Sequence, residues 1–339
     1  MAERVYLDHA ATSPLRPEAR AAMEEGFRLW ANPSSPHAEG RKARAALEDA
    51  RERIKAALGL GQADKNHELI FTSGASEALW IALNRCKVSR RIVSAVEHDA
   101  VFRAAPDAAI FSGDEPLDSD SLIAVQHLNS ETGTINPVSD MAAAVAETGA
   151  LILSDCAQSA GKLAFPASDM AVISAHKFGG PIGIGALLVR DFNLLEPVGG
   201  HERGYRQGTE NLPGALGMAA ALEAGGPESW ASKDAERLAF RDALAKGGEL
   251  IAPGTQASHI IAVAHQTLSA QALLIRLDAM GFAVSAGSAC SSGTLKKSRV
   301  LDAFGVPDEV AARTIRVSLG WNTTPEDLER FAEAWASLC

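Results

Sequence analysis

The segment Leu151-Ile-Leu-Ser-Asp-Cys-Ala-Gln-Ser159 consists of a short apolar run that ends in polar residues. The run is far too short to span a bilayer and has the length of a buried strand. Similar runs recur along the chain, with helix-like segments between them. This alternation predicts an α/β protein whose mostly parallel central sheet is covered by helices on both faces.

The predicted strands are residues 68–72, 91–95, 122–127, 151–154, 170–174 and 185–189, and the predicted helices among them are 36–58, 76–84 and 139–148. From about residue 225 the pattern changes. A Gly-Gly-Pro break is followed by a charged helix at 232–246, mixed segments, a helix at 269–280 and a final helix from Pro325. We therefore expect a large domain at residues 15–228 and a smaller α+β domain made of residues 1–14 and 229–339.

Composition narrows the classes of function. The 339 residues include 32 Lys and Arg against 42 Asp and Glu, a net charge of −10, and 47% are apolar, as in ordinary globular proteins. The acidic balance argues against nucleic-acid and membrane partners, and the first residues lack the apolar stretch of a signal peptide. The four cysteines form no C-x-x-C and no cluster with zinc-ligand spacing. We therefore expect a cytoplasmic protein without disulfides and without a metal site.

Polar residues follow three of the predicted strands, and in open α/β sheets ligands bind at the carboxyl ends of the strands. The first of these strands runs into Ser73-Gly-Ala-Ser76 and then into a helix. The free N–H groups at the start of that helix could hold a phosphate. The alternative is that Ser73 or Ser76 only caps the helix.

The other two strand ends carry Asp155 and Lys177. A buried aspartate needs a cationic partner, which could be a protonated pyridine nitrogen, a helix N-terminus or an arginine. A lysine in a sheet crevice can lose its charge and become a nucleophile, although most lysines are simply exposed. A phosphate cradle, an acid and a reactive lysine, in that order, are what pyridoxal 5'-phosphate requires of a protein.

A longer series of motifs extends over nearly the whole chain. It includes Val5-Tyr-Leu-Asp-His-Ala-Ala-Thr-Ser-Pro14, Phe71-Thr-Ser-Gly-Ala-Ser-Glu77, Ser154-Asp-Cys-Ala-Gln-Ser159, Ser174-Ala-His-Lys177, His201-Glu-Arg-Gly-Tyr-Arg-Gln-Gly-Thr-Glu-Asn211 and Ser285-Ala-Gly-Ser-Ala-Cys-Ser-Ser-Gly293. With this series the chain resembles the class V branch of the aminotransferase-type (fold type I) pyridoxal-phosphate enzymes, and within it the cysteine desulfurases. The resemblance implies a homodimer with pyridoxal 5'-phosphate as its cofactor.

The resemblance also implies a role for each matching residue. Lys177 would bind the cofactor covalently and move protons at the substrate Cα. Asp155 would pair with the pyridine nitrogen, Gln158 would bind the ring hydroxyl, and His98 would stack on the ring, although a lone histidine is more often structural. The phosphate would be bound by the following residues: Ala75, Ser76, Ser174, His176 and, from the neighbouring subunit, Thr209.

Substrate binding is implied at Arg316, with Asn32 nearby, because a guanidinium suits a bidentate grip on a carboxylate. The alternative for Arg316 is a salt bridge at a strand edge. Relatives have a second asparagine near the cofactor and the substrate carboxylate where this chain has Ser130. Asn129 could take over part of that role.

Cys290 would decide the reaction, because a pyridoxal enzyme can also transaminate, decarboxylate, racemise or eliminate. It lies in a Gly/Ser-rich stretch, and its thiolate would attack the sulfur of L-cysteine. Alanine would leave, and a persulfide would pass to a protein acceptor in iron–sulfur cluster assembly or tRNA thiolation. Many relatives continue further beyond the position of Arg316, so the acceptor is left open.

Two other functions are consistent with the same residues. A class V transaminase, or a selenocysteine or cysteine-sulfinate lyase, would keep the cofactor and change the reaction, and Ser130 is a reason to consider this group. A degenerate relative would act only as a binding partner, without catalysis.

Overall fold

The computed structural model describes residues 4–60, 67–113, 115–286 and 298–339. The chain divides into two compact units. The large unit comprises Pro14–His127 and Pro137–Gly225, and the small unit comprises Met1–Ser13, Leu128–Asn136 and Gly226–Cys339. The domain boundaries expected from the sequence stay a prediction, and residues 128–136 group with the small unit although the sequence pattern had placed them in the large domain.

The secondary structure alternates between strands and helices along most of the chain. The strands are β1 (Val5–Tyr6), β2 (Glu68–Thr72), β3 (Arg90–Val93), β4 (Ala109–Ile110), β5 (Ser121–Gln126), β6 (Leu151–Asp155), β7 (Met170–Ser174), β8 (Gly185–Val189), β9 (Gly248–Leu250), β10 (Ile260–His265), β11 (Phe282–Ala283) and β12 (Thr314–Ser318). The helices are α1 (Pro17–Arg28), α2 (Ala38–Ala57), α3 (Ala75–Arg85), α4 (Asp99–Ala104), α5 (Val138–Ala146), α6 (Leu212–Glu223), α7 (Asp234–Ala245), α8 (Ala270–Ala279), α9 (Arg299–Ala303), α10 (Asp308–Ala311) and α11 (Pro325–Leu338).

The large unit is built on a sheet with the strand order β2-β8-β7-β6-β5-β3-β4. Strands β3 to β7 pair in parallel, so the predicted mostly parallel sheet is confirmed. Strand β8 is antiparallel to both β7 and β2, and β2 therefore runs in the same direction as the parallel strands. The exception has a simple cause, because the short link from β7 to β8 cannot hold the crossover that a parallel pair needs.

Helices cover both faces of this sheet. One apolar cluster joins the sheet to α1, α2 and α6, and another joins it to α3 and α4. Every residue of β5, β7 and β8 is buried. This explains why their sequences are nearly continuous apolar runs and do not alternate between apolar and polar residues. Helix α6 is apolar on all sides because it is buried among its neighbours.

The direction of the strands determines where polar side chains meet. Strands β2, β5, β6 and β7 all end at one edge of the sheet, so the residues that follow them are brought to that edge. The turn after β2 packs directly on the start of β8, where a Cβ added to Gly185 would lie only 2.6 Å from Gly74 Cα. Glycine at position 185 therefore permits this close approach.

The small unit contains the antiparallel sheet β12-β10-β9 and the parallel pair β1-β11. Its apolar core includes Leu7, Ile315, Phe331 and Trp335, which helix α11 and the neighbouring strands bury. In the described part of the chain, every helix is too short or too polar to cross a membrane.

Candidate active site

Asp155 is the last residue of β6 and is 8% exposed. Its Oδ1 accepts a hydrogen bond of 2.9 Å from the N–H of Ala157. Burial raises the pKa of this carboxyl, while the N–H bond, the His98 ring in its protonated form and the positive charge of Lys177 act in the opposite direction. A buried acid is thus surrounded by groups that favour its ionised form.

Lys177 is half-buried and ends the helical turn Ala175–Lys177, which follows β7 directly. Its charge acts on Asp155, on His98 and on His176, so the structure brings these four predicted residues into one electrostatic neighbourhood. Burial, followed by the charges of Lys177 and Lys162, lowers the pKa of His176 to about 4. His176 is therefore neutral near pH 7.

Lys162 is a member of this neighbourhood that sequence reasoning missed. It is 9% exposed, and burial, followed by the charges of Lys177 and Arg16, lowers the pKa of its amine to about 7. The sequence signal that could have revealed it is a lysine so soon after Gln158 in a segment that follows a buried strand.

Arg16 anchors the main chain next to Lys177. Its guanidinium donates hydrogen bonds to the carbonyl oxygens of Phe178 at 3.2 Å and Gly225 at 2.9 Å. Its own N–H donates to the carbonyl oxygen of Gly179 at 2.8 Å. The segment that follows Lys177 is therefore held to the end of α6.

His98 precedes α4 as its N-cap residue, and its Nδ1 accepts a hydrogen bond of 3.1 Å from the N–H of Ala100. In the neutral ring the proton is therefore on Nε2. Part of the ring is exposed, yet burial by the surrounding protein lowers its pKa; Asp155 raises that pKa and Lys177 lowers it. We conclude that His98 is a neutral side chain with an N–H donor at Nε2.

The predicted phosphate cradle lies at the start of α3. The N-cap residue of this helix is Gly74, so the alternative in which Ser73 or Ser76 caps the helix is wrong. Ala75 and Ser76 form the first turn, and Ser174 Oγ lies 3.6 Å from where a Cβ on Gly74 would be. Main-chain N–H groups and a hydroxyl are thus gathered at a helix N-terminus, as a phosphate requires.

These features together fit pyridoxal 5'-phosphate. The buried carboxyl of Asp155 suits a protonated pyridine nitrogen, Lys177 supplies an amine, and the α3 N-terminus with Ser174 suits the phosphate. Gln158 is buried in the turn that follows Asp155, whereas Thr209 is exposed.

Arg316 lies on β12 in the small unit, and its guanidinium makes hydrogen bonds within that unit. Its Nη2 donates to Asp8 Oδ1 and to Ser285 Oγ, each at 2.7 Å, and its Nη1 donates to the carbonyl oxygen of Ser130 at 2.9 Å. The salt bridge considered as an alternative is therefore present, with Asp8 as the partner that sequence reasoning missed. The buried Nε of Arg316 has no hydrogen-bond partner among the described residues, so the guanidinium keeps donors for a ligand.

The remaining predicted site residues either use their side chains in local hydrogen bonds or lie outside the described residues. Asn129 Oδ1 accepts hydrogen bonds of 2.9 Å from the N–H groups of Glu131 and Thr132, so this oxygen stabilises a turn, and a role of Asn129 in place of a second asparagine stays a prediction. Asn32 is exposed, and its Oδ1 accepts from the N–H of Ser34 at 2.8 Å. Cys290 lies outside the described residues.

Comparison with known proteins identifies the class to which this fold and site belong. The chain belongs to the Aminotransferase class-V family, whose profile matches residues 5–115 and 117–331. The fold is accordingly the aminotransferase type, fold type I, and the resemblance inferred from the motifs is confirmed.

Within this family, the chain is similar to proteins named as cysteine desulfurases and NifS-like proteins. The chain is 34% identical to "Cysteine desulfurase IscS" of Dictyoglomus turgidum, over 97% of this chain and 92% of that protein. The crystal structure of a NifS-like protein from Rickettsia africae is similar with a TM-score of 0.86 and 25% identity, over 99% of each chain. The structure titled "SspA in complex with cysteine" is similar with a TM-score of 0.79 and 27% identity, over 94% of this chain and 100% of that one.

Proposed function

We propose that this protein is a pyridoxal-phosphate-dependent cysteine desulfurase, which converts L-cysteine to L-alanine and leaves a persulfide on Cys290. The observation that carries the proposal is the meeting of Asp155, Lys177 and the α3 N-terminus at one edge of the sheet, in a chain similar to cysteine desulfurases over nearly its whole length. The bound cofactor would supply an electron sink that stabilises negative charge at the substrate Cα.

The large unit holds the cofactor in this proposal. Asp155 pairs with the pyridine nitrogen, Gln158 with the ring hydroxyl, and His98 lies against the ring. Lys177 is the covalent attachment point. The phosphate is bound by the following residues: Ala75, Ser76, Ser174, His176 and, from the neighbouring subunit of a homodimer, Thr209.

Lys177 also moves the proton at the substrate Cα. An amine accepts a proton only when it is neutral, and Lys177 lies in the same electrostatic neighbourhood as Lys162, His98 and His176. Arg16 holds the residues that follow Lys177, so the amine is presented from a fixed main chain. The half-buried position and the fixed main chain thus suit Lys177 for proton transfer at the substrate Cα.

Arg316 binds the carboxylate of the substrate through the donors that Asp8, Ser285 and Ser130 leave available. The salt bridge and the substrate-binding role are therefore compatible, because Asp8 orients the guanidinium without using all of its N–H groups. Asn32 and the Ser130 hydroxyl contribute to substrate or cofactor binding in this proposal.

Cys290 performs the sulfur transfer as a thiolate. A bond forms between its sulfur and the sulfur of the substrate as the Cβ–S bond breaks, and Cβ keeps the electron pair and then takes a proton to give alanine. The resulting persulfide passes to a protein acceptor in iron–sulfur cluster assembly or tRNA thiolation. We place this reaction in the cytoplasm.

The test is to incubate the purified protein with L-cysteine and to measure alanine, together with sulfide released by a reductant. We expect wild-type protein and a Cys339→Ala control to form both products, and Cys290→Ala to form neither. Undiminished alanine formation by Cys290→Ala would remove the role assigned to that thiol. Turnover of selenocysteine, cysteine sulfinate or a keto acid, with none of cysteine, would favour the other class V reactions.

A further inference from the structure

Residues 201–209, here called the arm, end in the exposed Thr209 and have an unusual main chain. Glu202 and Arg203 have φ angles of +48° and +57°, in the left-handed region that residues other than glycine rarely adopt. The main-chain N–H of His201 donates to the carbonyl oxygen of Arg206 at 2.8 Å, which closes the arm into a loop. Such a conformation persists only where surrounding contacts impose it.

Glu202 supplies the first of these contacts. Its carboxylate makes a bidentate pair with Arg51, at 2.9 Å and 3.2 Å, and both side chains are almost fully buried. Glu202 also accepts the N–H of Phe71 at 2.8 Å, while Arg51 donates to the carbonyl oxygen of Leu69. The base of the arm is thus bonded to β2, the strand that leads into the phosphate-binding turn.

Arg206 supplies the second contact, on the turn itself. Its Nε lies 3.1 Å from Oε1 of Glu77 in the first turn of α3, and Glu77 accepts the N–H of Ser73. A carboxylate therefore stands beside the N–H groups that would receive a phosphate, and Arg206 compensates its charge. A dianionic phosphate at that turn is better tolerated when Arg206 is docked than when it is not.

We propose that Glu202 and Arg206 are positioning residues that couple the phosphate-binding turn of one subunit to the arm that carries Thr209 to its neighbour, so that the two subunits bind pyridoxal phosphate cooperatively. The inference rests on the proposed function, which supplies the cofactor and the homodimer. Phosphate bound at the turn favours the docked arm, and a docked arm presents Thr209 to the second site. By linkage the effect is reciprocal between the two sites.

The test is equilibrium dialysis of the full-length dimer against a series of pyridoxal phosphate concentrations, with bound cofactor read from its absorbance. A fivefold coupling, at the low end of the usual range, predicts a Hill coefficient of about 1.4 for wild type. Arg206→Gln is expected to lower it to about 1, the value for independent sites, and to raise the half-saturating concentration about twofold, the square root of the coupling factor. Arg206→Lys, which keeps the charge, is expected to recover part of the loss.

Arg203→Gln is the matched control. Arg203 belongs to the same arm, but it pairs at the surface with Glu68 at 2.8 Å, away from the phosphate-binding turn. This variant is expected to bind cofactor with the wild-type Hill coefficient. Glu77→Gln serves as a second variant of the coupled pair, because it removes the charge and keeps an acceptor for Ser73; it is also expected to give a coefficient of about 1.

Melting temperatures of all variants separate a structural role from a coupling role. An Arg206→Gln protein that melts earlier but binds cofactor with wild-type affinity and cooperativity would overturn the proposal. Non-cooperative binding by a wild-type protein that still converts cysteine to alanine would overturn the coupling and leave the proposed function intact. A wild-type protein that binds no cofactor would overturn both.

Discussion

The ion pair between Arg51 and Glu202 should make a large contribution to the stability of the large unit. Their side chains are only 3% and 1% exposed, so replacing Glu202 by Gln leaves a buried guanidinium whose remaining acidic partner is Glu48, at 3.3 Å and 46% exposed. Breaking a buried pair in this way typically costs about 3–5 kcal/mol. Gln keeps an acceptor for the N–H of Phe71, so the loss measures the charge more than the hydrogen bond.

For a unit of about 200 residues, each kcal/mol shifts the melting temperature by about 2–4 °C, so Glu202→Gln is expected to lower it by about 6–20 °C. The assay is thermal unfolding of the full chain followed by circular dichroism. The control is Glu223→Gln, which breaks the exposed pair that Glu223 makes with Arg53 on the same helix, α2; those side chains are 41% and 33% exposed. An exposed pair contributes at most about 1 kcal/mol.

A double variant checks the electrostatic origin of the loss. Arg51→Met with Glu202→Gln removes both charges and keeps an acceptor for the N–H of Phe71, so it should be less destabilising than Glu202→Gln alone because no unpaired charge stays buried. Its residual cost comes from the carbonyl oxygen of Leu69, at about 1–3 kcal/mol. The reasoning is refuted if Glu202→Gln and Glu223→Gln melt at the same temperature.

Three further outcomes are expected. The pKa of Lys162, about 7 when folded, lies below its value in an unfolded chain, so the folded protein binds fewer protons above pH 7 and wild-type stability rises with pH. Lys162→Met lacks this amine, so its free energy of unfolding should exceed that of wild type by the larger amount at pH 7. The difference should be about 2 kcal/mol smaller when unfolding is measured at pH 9. Asp155→Asn should retain cofactor absorbance but form alanine about a hundredfold more slowly, and an unchanged rate would contradict its pairing with the ring. Burial raises the pKa of Cys86 to about 11 and that of Cys156 to about 12, so mass spectrometry should find both unmodified by iodoacetamide until the chain unfolds.

The bounds of several strands could be predicted from the sequence to within one residue. The predicted bounds of β2, β7 and β8 agree with the structure, and β6 is one residue longer than predicted. A short apolar run is a property of neighbouring residues, and so is the polar residue that ends it. The direction of β8 was not readable, because an apolar strand has the same pattern in either direction, and only the short link from β7 excludes a parallel arrangement.

Only some of the charged residues at the candidate site could be predicted from the sequence. Asp155 ends β6, Lys177 comes shortly after β7, and the two strands end at the same edge of the sheet, so the proximity of these residues could be predicted from the strand order. The buried amine of Lys162 could not, because its perturbation comes from burial and from the charges of Lys177 and Arg16, which are distant in sequence.

The class of fold, the family and the residues that suit pyridoxal phosphate can be predicted from the amino-acid sequence alone. Those predictions depend on local spacing and on motif order. Only the folded structure shows that Arg316 is oriented by Asp8, 308 residues away, and that the arm is anchored by Glu202 on Arg51, 151 residues away. Hydrogen bonds and charge pairs act over a few ångströms of space, and only the folded chain brings such distant residues within that range.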